Sequence, residues 1–159
     1  MNQAAKLQVK WDDDASVAAN ARSELPKLAE AYFQQARALL AQNPRPPRLH
    51  ALRVSGKRLR YWLELFRPCY GPGLEERIAA LKKVQDLLGD VNDAVAASGI
   101  IRKTMRRSRL RTKVERFATK RMSETAASFR AHWSTFDAPG REAWWTEYLA
   151  REAHAPDRK

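Results

Sequence analysis

Acidic residues are in short supply: 18 Asp and Glu stand against 30 Lys and Arg, leaving a formal net charge of +12. Glycine is also sparse, with six in 159 residues, and no stretch alternates apolar and polar side chains as a half-buried strand would. Cysteine occurs once, as Cys69, so no internal disulfide can form, and a reducing cytosol is tolerated. No apolar run approaches the ~18 residues needed to span a bilayer. The opening MNQAAKLQVKWDDD has no apolar core and does not resemble a signal peptide. These absences exclude a sheet protein, a disulfide scaffold and a membrane-spanning chain. They lead to the expectation of a soluble, cytoplasmic helical protein with no membrane partner.

Apolar residues make up 44% of the chain, enough for one domain with a core. Alanine, leucine, arginine, lysine and glutamate dominate its middle and favour helix. The positive charge is concentrated. Residues 44–67 carry seven Lys or Arg and one acid, and residues 102–121 carry ten and one. The remainder is net −3. Charge gathered into segments is the footprint of a polyanion partner; a solvated face that keeps a small protein soluble is the plainer alternative.

Residues 1–11 read as a loose arm, and residues 12–150 as an all-α antiparallel bundle of four to five helices with long first and last members. Asp12–Asp14 and Ser16 suit a helix N-terminus. The first helix is expected to run to about Gln42, with Pro26 kinking or restarting it. Asn43-Pro44-Arg45-Pro46-Pro47 breaks the chain. A second helix spans about Arg48 to Phe66 and a third about Leu74 to Leu88, with Gly89 as its stop. Asp90, with Asp93 three residues on, is expected to cap a fourth helix reaching about Arg107. Ser108 is a weak break before a fifth, about Leu110 to Phe136. Ala138-Pro139-Gly140 is a turn, an aromatic tail follows, and residues 151–159 look frayed.

The second helix has one apolar seam, Leu49, Leu52, Gly56, Leu59, Leu63 and Phe66, in alternating steps of three and four. His50, Arg53, Lys57 and Arg60 follow the same steps displaced by one residue, about 100° of rotation. A cationic stripe therefore runs beside the seam, its members roughly 5 Å apart along the axis. Arg58 flanks it, and Tyr61 places a hydroxyl near it. Arg102, Arg106, Arg109, Lys113, Arg116 and Lys120 repeat the spacing: one stripe if the helix is continuous, two if Ser108 breaks it. Lys103 and Arg107 widen that patch, and Lys82 and Lys83 form a smaller one. Arginine offers a planar fork to phosphate oxygens, lysine a point charge, and histidine a donor that gains charge as pH falls. A histidine at a helix start, satisfied by a neighbouring carbonyl or carboxylate, is the alternative for His50.

No pattern for catalysis is present. His50, His132 and His154 are far apart in sequence and lack metal-ligand spacing. There is no Gly-rich phosphate loop and no nucleophile motif. Asp90 and Asp93 suit a cap better than a divalent ion, and can also pair with arginines of the second helix. The expectation is a non-enzymatic protein without cofactor or metal. The five tryptophans read as core or interface residues: Trp62 in the core region, Trp144 and Trp145 closing the bundle end.

Two segments resemble a known family. Leu49-His50-Ala51-Leu52-Arg53-Val54-Ser55-Gly56-Lys57-Arg58-Leu59-Arg60-Tyr61 is similar to the H-x-L-R-x-x-x-K-R-L-R-Y signature of the CHAD family, the conserved histidine α-helical domain. Leu81-Lys82-Lys83-Val84-Gln85-Asp86-Leu87-Leu88-Gly89-Asp90-Val91-Asn92-Asp93 is similar to its L-x-x-L-Q-x-x-L-G-x-x-N-D segment, with Val84 at one leucine position. The resemblance spans residues 14–149 and implies a helical, non-catalytic binder of inorganic polyphosphate, in some members associated with polyphosphate granules. By the same resemblance His50, Arg53, Lys57, Arg58 and Arg60 face the ligand. The family's usual form is a two-bundle pseudo-repeat. This chain resembles one bundle, closer to the C-terminal one, which raises homodimerisation as a way to complete the groove. Non-specific nucleic-acid binding through residues 102–121 and a helical assembly role, with the stripes meeting acidic partner helices, remain as alternatives.

Overall fold

The computed structural model describes residues 9–155; residues 1–8 of the expected arm at 1–11 and the last residues, 156–159, lie outside the described residues. Five helices follow one another: α1 (Val17–Leu40), α2 (His50–Leu65), α3 (Pro72–Thr104), α4 (Arg109–Phe136) and α5 (Arg141–Arg151). No strand occurs among the described residues. The all-α bundle is as the composition predicts. The aromatic tail is itself helical, as α5.

Ser16 starts α1, its Oγ accepting from the Ala19 N–H at 3.1 Å. The helix passes through Pro26 without restarting. Its buried face runs from Leu25 through Leu28, Ala29, Tyr32 and Phe33 to Ala36. Pro46 to Leu49 forms a 3-10 turn that leads directly into α2.

The chief departure from the sequence-based expectation is α3. It runs 33 residues, about 50 Å, straight through Gly89. Among the described residues only Gly140 and Asn43 have positive φ, so Gly89 makes no left-handed stop and Asp90 caps nothing. Tertiary burial overrides the local Gly-Asp signal: Leu81, Val84, Leu88 and Val91 are all buried and hold the helix in phase across the glycine. The break comes at Met105, which is extended. Ser108 then caps α4 through a 3.1 Å bond from the Arg111 N–H.

α1 packs on α5 and α2, α2 on α3, and α3 on α4. Aromatic side chains close the ring: Phe33 of α1 meets Phe136 of α4 and Trp145 of α5, with centroids 5.3 and 5.9 Å apart. Gly56 sets α2 close to α1. A Cβ there would stand 3.0 Å from the Tyr32 hydroxyl, and Tyr32 is fully buried. Arg77 ties α3 to α5. It is buried between the Trp144 and Tyr148 rings, its guanidinium carbon 3.4 and 3.9 Å from their centroids. It donates to the Gly73 and Trp144 carbonyls, and burial lowers its pKa to about 10.

Both described ends are held. Trp11 stacks on Phe66, and the Lys10 N–H donates to Glu24 at 3.0 Å. The Glu24 carboxyl sits below its ordinary range, chiefly through its bond from Lys27. Of the C-terminal residues expected to fray, Ala153 is buried and His154 donates its N–H to the Cys69 carbonyl.

Candidate polyanion-binding face

The predicted seam of α2 is buried at every position, Leu49, Leu52, Gly56, Leu59, Leu63 and Phe66. The cationic stripe lies beside it at the protein surface, with His50 and Lys57 exposed and Arg53 and Arg60 partly so. From His50 to Arg60 the line is about 15 Å long. Arg58 is exposed on the outer side. Tyr61 is half exposed and has two cations near its ring: Lys57 Nζ lies 5.4 Å and the Arg60 guanidinium 5.1 Å from its centroid.

The neighbouring helix holds two members of the line through neutral amides. Gln85 of α3 accepts from Arg60 Nε at 2.8 Å and donates to the Gly56 carbonyl at 2.7 Å. Asn92, two turns along the same face of α3, places Oδ1 2.9 Å from His50 Nδ1. The contact turns the Nδ1 edge of the His50 ring toward α3. Because these partners are uncharged, they fix direction without cancelling charge. Arg60 also reaches Glu64 at 2.7 Å, which offsets part of its charge. Among the described residues Arg53, Lys57 and Arg58 have no carboxylate within ion-pair distance.

The expected pairing of Asp90 and Asp93 with α2 arginines is absent; both carboxylates are exposed and the amides Gln85 and Asn92 take that role. Sequence reasoning passed over these two amides as site residues, although both fall at named positions of the L-x-x-L-Q-x-x-L-G-x-x-N-D pattern. No group of three or more His, Cys, Asp or Glu side chains gathers as a metal site would among the described residues.

Lys82 precedes Gln85 by one turn and extends the line at its Arg60 end, whereas Lys83 points to another side of α3; both are exposed. Past Asn92, the same face of α3 continues to Lys103. A cavity of about 240 Å³ lies where the line meets α3, lined by His50 and Asn92 among Pro46, Pro47, Leu88, Val91 and Val95.

The break at Met105–Ser108 splits the second predicted stripe. Arg102 lies in the last turn of α3, Arg106 lies in the connection, and Arg109, Lys113, Arg116 and Lys120 share a stripe on α4. Arg111 pairs with Glu115 at 2.9 Å and Lys120 approaches Glu124 at 3.7 Å. The structure thus shows two basic clusters: a line held by α2 and α3, and the end of the α3–α4 hairpin.

The family model for the CHAD domain matches residues 3–102, more than half of the chain. The chain belongs to the CHAD domain family. The match takes in α1, α2 and α3 almost to its end, including the whole α2–α3 line. The CHAD match is shorter than the 14–149 span expected from the signatures: α4 and α5 fall outside it. No curated protein and no solved structure matches the chain.

Proposed function

We propose that this CHAD domain is a non-catalytic binder of inorganic polyphosphate, and that the chain of phosphates lies along the α2 line formed by His50, Arg53, Lys57 and Arg60. One observation carries this: two members of the line, His50 and Arg60, are oriented by neutral amides, and among the described residues Arg53 and Lys57 have no carboxylate within ion-pair distance, so only the Arg60 charge is partly offset, by Glu64. A solvated face has no need of Gln85 and Asn92 as orienting partners. Family membership supports the same ligand. Arg58, Tyr61 and Lys82 border the line. A long chain passes beyond Asn92 toward Arg102, Arg106, Arg109 and Lys113, while Lys83 adds to the surrounding field. The domain is expected to act in the cytoplasm, at polyphosphate granules, and a second copy is the natural source of a facing basic surface.

The test is binding of long-chain polyphosphate, single-stranded RNA and duplex DNA across a salt series, for the unmodified protein and for Arg53→Ala/Lys57→Ala. Polyphosphate is expected to bind preferentially at equal phosphate concentration. The double substitution should weaken it by about tenfold or more, since each lost charged contact costs roughly 1.5–3 kcal/mol before compensation. Equal binding of all three polymers, unaffected by the substitutions, would overturn the assignment and move the activity to the hairpin cations.

A further inference from the structure

The hairpin end carries something an aqueous polyanion does not use. Phe117 is 71% exposed, Leu110 63% and Ile100 60%. Seven large apolar side chains are exposed among the described residues, and three of them fall on this one hairpin. Leu110 and Phe117 are seven residues apart on α4, so they project within about 20° of one another. Lys113 and Arg121 lie on either side of them, and Arg109, Arg116 and Lys120 follow on the Lys113 side. Ile100 stands on α3 four residues before its end, level with the first turn of α4.

This end projects from the bundle. The apolar core reaches Val91 on α3, with Val95 packed against it, and resumes on α4 only at Ala126. Between those limits the buried residues are Ala94, Ser98, Ala118 and Thr125, small side chains that let two helices approach but hold no core of their own.

We infer that the outer face of α4 from Arg109 to Arg121, with Leu110 and Phe117 at its centre, is a peripheral docking surface for an anionic lipid bilayer. Both halves of the chemistry call for that partner. A bilayer interface offers an apolar layer for leucine and phenylalanine, and anionic headgroups around it for the flanking cations. Polyphosphate satisfies the cations and leaves the apolar pair in water. A second copy would bring the same excess, ten Lys or Arg against one acid across residues 102–121, onto a surface already of that sign. Single-stranded nucleic acid is bound by a series of aromatic platforms, and Phe117 has only Leu110 beside it. The contact lies on the surface and needs no spanning segment, and none of the described helices is long and apolar enough to cross a membrane. It departs from the expectation of no membrane partner, which rested on the lack of such a segment.

The experiment is co-sedimentation of the full chain with phosphatidylcholine vesicles, neutral or containing roughly 30% phosphatidylglycerol. Leu110→Ser/Phe117→Ser and Lys113→Gln/Lys120→Gln are compared with the unmodified protein, and circular dichroism checks the fold. The expected result is binding to the anionic vesicles alone, reduced about tenfold by either double substitution, while Leu110→Ser/Phe117→Ser leaves polyphosphate binding unchanged. Phe117→Trp should retain vesicle binding, which separates an apolar requirement from damage to α4. Three results would each overturn the inference: no binding to anionic vesicles, binding unaffected by Leu110→Ser/Phe117→Ser, or loss of single-stranded RNA binding in that variant with vesicle binding intact.

Discussion

Gln85 uses both ends of its amide, the oxygen accepting from Arg60 and the nitrogen donating to the Gly56 carbonyl. It therefore fixes the angle at which the Arg60 guanidinium leaves α2 while adding no charge. Gln85→Leu keeps most of the volume and removes both bonds. The Gly56 carbonyl lies within helix α2, so the fold should tolerate the change. Polyphosphate affinity is expected to fall about three- to tenfold, matching the roughly 1 kcal/mol of a net hydrogen bond. Gln85→Glu should lower it further, because a second carboxylate beside Glu64 would offset more of the Arg60 charge. Titration calorimetry decides between them, and unaltered affinity in both variants would remove Gln85 from any positioning role. Gly56 acts by a different route: any side chain there presses on the buried Tyr32 ring and disturbs the seat of α2 on α1.

Helices show where sequence patterns carry information and where they lose it. The seam and stripe of α2 were legible because a step of three or four residues maps directly onto a helix face, whatever the helix packs against. The fate of Gly89 was not. Gly-Asp after a leucine run is a sound local stop signal, yet Leu88 and Val91 are both buried, and that burial keeps the helix going. The roles of Gln85 and Asn92 were hidden for the same reason, since each depends on which residue of α2 stands opposite. The continuous α3 has a measurable consequence. Nothing lies within 4 Å of a Cβ at Gly89, and the residue is mid-helix without positive φ. Gly89→Ala should therefore stabilise the fold by about 0.5–1 kcal/mol, raising Tm by a few degrees. A left-handed helix stop at Gly89 would give the opposite sign in thermal unfolding.

Across the whole molecule the excess charge forms two clusters joined by one long helix. The α2 line ends at His50 beside Asn92, and α3 continues about 15 Å further to Arg102. A short oligophosphate about 15 Å long is filled by the α2 line alone, whereas a long chain spans both clusters. Releasing condensed counterions makes log K fall with log salt by roughly 0.7–0.9 per neutralised phosphate on nucleic-acid polyanions, and polyphosphate is a comparable line of charge. Arg53→Gln/Lys57→Gln should then reduce the slope by roughly 1.5 for short and long chains alike. Arg102→Gln/Arg106→Gln should reduce it for long chains only. Fluorescence anisotropy across a salt series, with labelled chains of both lengths, reads the difference. If the Arg102/Arg106 pair lowered the slope for short chains as much as for long ones, the two clusters would form a single diffuse field, and the α2 line would hold no privileged place on it.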